Sequence, residues 1–158
     1  MNQEGFFMPS SEQSYPISQT LITMMNKIEH IGIAVNNLQD AIETYEKLLG
    51  TVCCKQEEVA SEGVKTAFFQ VGESKIELLQ ATNDNSPIAK FITKKGEGIH
   101  HIAFDVTDIN ASMNELSQNG FHLLNEHPKS GADNKLVAFL HPKSSNGVLV
   151  ELCQEKTD

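Results

Sequence analysis

The chain has no arginine and no tryptophan, and aromatic residues make up only 6% of it. Its positive charge rests on 12 lysines against 21 acidic residues, for a net charge of −9. Without a clustered basic surface it is not built for the phosphate backbone of nucleic acid. A small anionic ligand is not excluded, since a few local lysines suffice. Cysteine is scarce as well. Cys53, Cys54 and Cys153 are odd in number, include an adjacent pair that cannot easily bridge to itself, and show no zinc-binding spacing. That usage points to a reducing cytoplasm. No apolar run approaches membrane-spanning length, so no membrane partner is expected.

Residues 1–24 carry Glu4 and Glu12 but no lysine, which suits neither a secretory signal nor a transit peptide. They are polar, contain Pro and Ser, and lack periodicity. A disordered extension is expected over 1–24, with Met24 or Met25 as an alternative start. The folded domain is expected over 25–158, where the apolar content suits an ordinary globular core.

What the remainder does contain is a repeat. "KIEHIGIAV" alternates as a strand and runs into "NNLQDAIETYEKLLG", where Asn36 or Asn37 can cap a helix. Leu38, Ala41, Ile42, Tyr45, Leu48 and Leu49 form its apolar stripe, and Gly50 closes it. Extended stretches follow near 52–59, 64–71 and 75–80, with a turn at "VGES". "SPIAKFITKKG" is a linker helix over 86–95, capped by Ser86 and ended by Gly96. The pattern then begins again: "GIHHIAFDV", a helix in "TDINASMNELSQNG", and strands near 121–126, 136–141 and 148–153. "IEHIGIAV" overlays "IHHIAFDV", and "KIELL" overlays "VLVELC". The expected fold is α+β: two βαβββ modules, about 27–80 and about 97–154, paired about a pseudo-two-fold axis to bury their open faces.

Four polar residues stand out against this pattern. On the first strand Ile31, Ile33 and Val35 make one face, while His30, Gly32 and Ala34 make the other, as if space were kept beside the histidine. In the repeat His101 is the counterpart of His30, and His100 is expected to point the opposite way. Glu77 and Glu151 each interrupt an apolar strand, at equivalent places in the two halves. A glutamate there costs several kcal/mol if left unpaired. A single strand histidine or glutamate is ordinarily a satisfied or solvated residue. Two of each at repeat-equivalent positions form a converging set, and imidazole with carboxylate suits an octahedral divalent ion with two open positions. His122, His127 and His141 lack such support and are expected on the surface, His141 near the pocket edge.

These stretches resemble the vicinal oxygen chelate superfamily, which includes glyoxalase I, extradiol dioxygenases and fosfomycin- and bleomycin-resistance proteins. Within it, "IEHIGIAVNNL", "NSPIAKF", "GEGIHHIAFDV" and "FLHPKSSNGVLVEL" are similar to the methylmalonyl-CoA epimerase family, over about 27–154. The resemblance implies an open barrel of the glyoxalase fold, and His30, His101, Glu151 and Glu77 as ligands of one divalent ion. Cobalt is the first choice, with manganese, zinc or nickel as alternatives. It implies an isomerase of propionate metabolism that interconverts (S)- and (R)-methylmalonyl-CoA, through an enolate stabilised by the ion. Glu151 is the first candidate for acid or base, and Glu77 or a water is the second. Some of these epimerases carry a glutamate where this chain has Thr66, which cannot be that base. An acyl-CoA substrate and a homodimer are implied too.

For the coenzyme's negative charge, Lys129, Lys135 and Lys143 lie in the loop-rich stretch "KSGADNKLVAFLHPKSSNG". Two other readings use the same scaffold. Glyoxalase I would use the same quartet on a glutathione hemithioacetal, whereas a metal-free drug-binding protein would dispense with the ligands. An extradiol dioxygenase would use two histidines and one carboxylate, usually in a longer chain. A chain beginning at Met25 is expected to retain cooperative unfolding and activity; loss of either, by thermal melting or turnover, would contradict an expendable leader.

Overall fold

The structure, a computed structural model, describes residues 24–157. The expected extension over 1–24 therefore lies outside the described residues except for Met24. The chain runs β1 (Met25–Ala34), α1 (Leu38–Leu49), β2 (Lys55–Val59), β3 (Val64–Val71) and β4 (Ser74–Ala81). After α2 (Pro87–Lys95) come β5 (Gly98–Val106), α3 (Ile109–Gln118), β6 (Lys129–Ser130), β7 (Lys135–Leu140) and β8 (Val150–Glu155). The eight strands form one mixed sheet in the order β2-β3-β4-β1-β5-β8-β7-β6. Each half is the mirror in order of the other. β1 pairs parallel with β4, β5 pairs parallel with β8, and antiparallel β1–β5 pairing joins the modules.

The caps explain where the helices sit. Asn37, rather than Asn36, starts α1 by accepting a bond from the Asp40 amide, and Gly50 ends it at φ 64°. Ser86 accepts from the Ile88 amide to start α2, and Asp108 accepts from the Ala111 amide to start α3. α1 buries Leu38 and Ile42 against Ala67, Phe69 and Leu78, the outward residues of β3 and β4. α3 does the same for module two, with Ile109, Met113 and Leu116 against Ala138, Leu140 and Leu152. Both helices therefore cover the outer face, and the inner face of the curled sheet is left for a cavity.

Three expectations need correction. Leu48 lies at the edge of the α1 stripe and turns to solvent, 70% exposed. The terminal strand begins at Val150, and Val148 is exposed ahead of it. Residues 121–126 do not form the strand their alternation suggests. They run beside β7, with Leu124 N donating to Phe139 O and His141 N to His122 O, but only Leu123 and Leu140 form a bridge. The ladder breaks where the Asn125 side-chain oxygen takes the Phe139 amide in place of a backbone carbonyl. Pro128 then has no N–H with which to resume it. The outer strand of module two is instead the two-residue β6.

Candidate metal centre and active site

Register brings the four residues together. Gly32 is paired with Glu77 on one side and with His101 on the other, while Ala103 is paired with both His30 and Glu151. All four residues are 3–6% exposed. His30 Nε2 lies 3.0 Å from His101 Nε2 and 3.2 Å from Glu77 Oε2. His101 Nε2 lies 3.2 Å from Glu151 Oε2 and 3.6 Å from Glu77 Oε2, and Glu151 Oε1 is 3.9 Å from His30 Nε2. The imidazoles meet edge to face, with centroids 5.1 Å apart.

The space kept beside His30 is real. A β-carbon at Gly32 would overlap the His101 imidazole, so only glycine lets the two strands carry that ring between them.

The residue types fit a divalent ion. Ligand atoms about 2.1 Å from one ion stand about 3 Å apart when adjacent and about 4.2 Å when opposite. The five separations above fall in that interval, and the ligand atoms of His30, Glu77 and His101 all lie within 4.8 Å of one another. The imidazoles also present the right atoms. His30 Nδ1 is 2.5 Å from Glu29 Oε2, so Nδ1–H donates outward and Nε2 is the atom turned to the cluster. His101 Nδ1 is 2.9 Å from His100 Nδ1. Burial first, and the neighbouring His101 second, lower the His100 pKa to about 4, so it stays neutral and can accept that bond. Four buried ionisable groups sharing one point leave charge that an ion would neutralise.

Glu29 and His100 were not anticipated. The sequence places them on the opposite strand face from the histidines they precede. In the structure each is the extra residue of a β-bulge: Ile28–Phe104 is followed by His30–Ala103, and Gly32–His101 by Ile33–Ile99. A bulge lets consecutive residues turn toward one side, which alternation cannot foretell. The only hint is the acid or second imidazole directly before each histidine.

Above the cluster opens a cavity of about 290 Å³. Val64, Phe68, Leu79, Ile88, Phe139 and Leu149 give it largely apolar walls. Thr66 also lines it, almost completely buried, with its Oγ1 unpartnered among the described residues. Lys129 and Lys135 line it as well, but Lys143 does not. Lys129 Nζ lies over the Phe139 ring and 2.6 Å from Glu62 at the rim. The Lys135 ammonium is held between Glu29 and Glu155. His141 sits away from the lining, stacked edge to face on His122.

The two central carboxylates are driven apart. Burial favours the neutral form of both. At Glu77, bonds from His101 and His30 overcome it and lower the pKa to about 2. At Glu151 burial prevails, helped by Glu77 and Glu29, and the pKa is raised.

Residues 29–139 match the sequence profile described as Glyoxalase/Bleomycin resistance protein/Dioxygenase superfamily. The chain belongs to this superfamily. Enzymes of the superfamily bind a divalent metal ion, and candidate ligands stand together here. The ethylmalonyl-CoA/methylmalonyl-CoA epimerase of Cereibacter sphaeroides is 41% identical over 133 residues, covering 83% of this chain and 99% of its own. The crystal structure of methylmalonyl-CoA epimerase from Mycobacterium tuberculosis superposes with a TM-score of 0.82 at 34% identity, over 87% of this chain and 93% of that one. A methylmalonyl-CoA epimerase solved with methylmalonyl-CoA and ammonium gives 0.81 at 33% identity, over 84% and 96%. The chain thus lies with the methylmalonyl-CoA epimerases inside the superfamily, and it has their fold.

Two outcomes follow from this geometry. Gly32→Ala must displace the His101 ring by about an ångström, so metal affinity measured by calorimetry should fall at least tenfold, and turnover about a hundredfold, with the fold retained. The second concerns protons. Burial would lower the His30 pKa, but its bonds to Glu29 and Glu77 raise it to about 10, while Glu29 and Glu77 are lowered to about 2. A raised histidine stabilises fully below its ordinary 6.5 and loses this as pH rises toward 10. The lowered glutamates stabilise above their ordinary 4.5 and lose this as pH falls toward 2. Their combined contribution to metal-free protein should therefore peak between about pH 4.5 and 6.5 in denaturant melts. Loading a divalent ion at neutral pH should release about one proton, from His30, readable by calorimetry in buffers of different ionisation enthalpy.

Proposed function

We propose that this protein is a metal-dependent epimerase that interconverts (S)- and (R)-methylmalonyl-CoA, in which His30, Glu77, His101 and Glu151 hold one divalent ion, cobalt by preference. The observation that carries it is the convergence of these four side chains at the floor of an apolar cavity, in a chain so similar to named epimerases. The bound structure of a relative with methylmalonyl-CoA supports an acyl-CoA substrate.

The substrate hydrogen at carbon 2 lies between a thioester and a carboxylate, so it is acidic once the negative charge formed on its loss is stabilised. The ion, when bound, supplies Lewis-acid charge for that purpose. The Glu151 carboxylate takes the proton. It does so as a ligand able to swing off the ion: burial raises its pKa while the imidazoles hold Glu77 ionised, so Glu151 is the stronger base of the pair. Glu77, held ionised, carries no proton to give. The proton returned from the other face is accordingly assigned to a water on the wall of module one, where the Thr66 hydroxyl lacks a partner, and the cycle closes when Glu151 passes its proton through solvent to the hydroxide left behind. Thr66 itself has no accessible second protonation state with which to act as base. The apolar walls exclude other water and strengthen every charge interaction inside.

Of the three lysines expected to serve the coenzyme, Lys129 has the best support. It stands at the rim, and its Glu62 partner is a half-exposed ion pair that a phosphate can displace at low cost. Lys135 is committed to carboxylates, and Lys143 lies beyond the lining. The reading includes a homodimer acting in propionate metabolism in a reducing cytoplasm, where Cys53, Cys54 and Cys153 persist as free thiols.

Turnover in deuterated water is the test. Metal-loaded protein should place deuterium at carbon 2 of methylmalonyl-CoA, and a chelator should suppress both exchange and epimerisation. Glu151→Gln should lose a factor of roughly 10²–10⁴ in rate, and Glu77→Gln less, since a neutral carbonyl can still ligate. Undiminished epimerisation by metal-free protein would reject the proposal.

A further inference from the structure

We infer that Glu29 and His100 are positioning residues, each fixing the tautomer and direction of the histidine that follows it so that both Nε2 atoms face one point. The inference rests on the reading of that point as a metal centre. Both are the extra residue of a bulge, and both meet the next residue's Nδ1, at 2.5 Å for Glu29 and 2.9 Å for His100. They are related by the same repeat that relates His30 to His101. An ordinary strand would turn them to the outer face and leave each imidazole free to rotate or to carry its proton on Nε2, where it would repel an ion.

The two supports differ in kind. Glu29 is buried and itself anchored. Its Oε1 receives Lys75 Nζ at 3.0 Å, with Lys135 Nζ 3.8 Å away. Lys75 Nζ also lies 2.6 Å from Asp133 Oδ2, and Asp133 Oδ1 lies 3.0 Å from Lys55 Nζ on β2. Asp133 and Asn134 take φ of 54° and 56°, so the turn between β6 and β7 is held in a left-handed shape that delivers this carboxylate across to module one. The second module thus braces the first module's histidine through Asp133, Lys75 and Glu29. His100 is braced only by an edge-to-face contact with Phe91 of α2, at 5.0 Å. His30 leans on an anchored carboxylate, and His101 on another imidazole.

The test uses the full chain and cobalt(II), whose visible spectrum reports ligand geometry independently of turnover. Glu29→Ala and His100→Phe should each weaken cobalt affinity roughly 10–100-fold by calorimetry and shift the spectrum. Glu29→Gln and His100→Asn keep an acceptor oxygen near Nδ1 and should recover most of that loss; they also serve if the first pair fails to fold. Asp133→Asn should weaken affinity less than Glu29→Ala and should be non-additive with it, because both act through one carboxylate. A structural role alone would lower the melting temperature and leave affinity and spectrum unchanged. If the unsubstituted chain binds cobalt one to one and all variants match it in both readouts, the positioning role is wrong and the metal centre stands. If the unsubstituted chain binds no cobalt, the metal centre falls and this inference with it.

Discussion

The antiparallel seam between β1 and β5 is the constraint on which the rest depends. Both candidate histidines sit on it, one from each module, and their Nε2 atoms meet 3.0 Å apart. That meeting needs a missing β-carbon at Gly32, a bulge on each strand, and a register in which the parallel neighbours β4 and β8 present Glu77 and Glu151 alongside. A one-residue slip of the seam would send all of these to the wrong face. The helices protect the register by burying the outward residues of β3, β4, β7 and β8, which makes a slip cost apolar burial on both sides of the molecule.

Charge is handled by a second arrangement. Placing Glu29, Glu77 and Glu151 within one buried region is unfavourable unless cations answer them. His30 answers from inside, and Lys75 on β4 and Lys135 on β7 answer from outside the cluster. This explains why lysines expected for a ligand are in part spent within the protein. A lysine in a loop-rich stretch reads from sequence as available; only the fold shows that Lys135 belongs to strand β7 and points at carboxylates.

Much of this was legible because the repeat doubles every signal. His30 with His101 and Glu77 with Glu151 could be picked out by register alone, and Gly32 announced the space that the His101 ring takes up, whereas Ala34 packs against Val64, Leu79 and Ile88. What escaped was whatever breaks alternation. Glu29 and His100 were hidden by bulges, which leave no mark in apolar periodicity. The segment 121–126 looked like a strand because it does lie along β7, but the Asn125 side chain, rather than its backbone, completes the contact. Leu48 looked like core because it stands at the margin of a wide stripe, where a small rotation of the helix decides burial.

Duplication sets a difficulty for the chemistry it hosts. Two superposable modules tend to give two equivalent carboxylates, whereas the proposed reaction asks one of them to take a proton and the other to stay ionised. The chain breaks the equivalence in the ring of groups around the pair. Glu77 lies within 3.2 Å and 3.6 Å of the two imidazoles through a single oxygen and is held ionised by both. Glu151 divides its oxygens between them, at 3.2 Å and 3.9 Å, and burial dominates instead. The supports behind the imidazoles differ too, a carboxylate behind one and a neutral ring behind the other. Symmetry of the backbone therefore brings the groups to one point, and its local violation makes them chemically distinct.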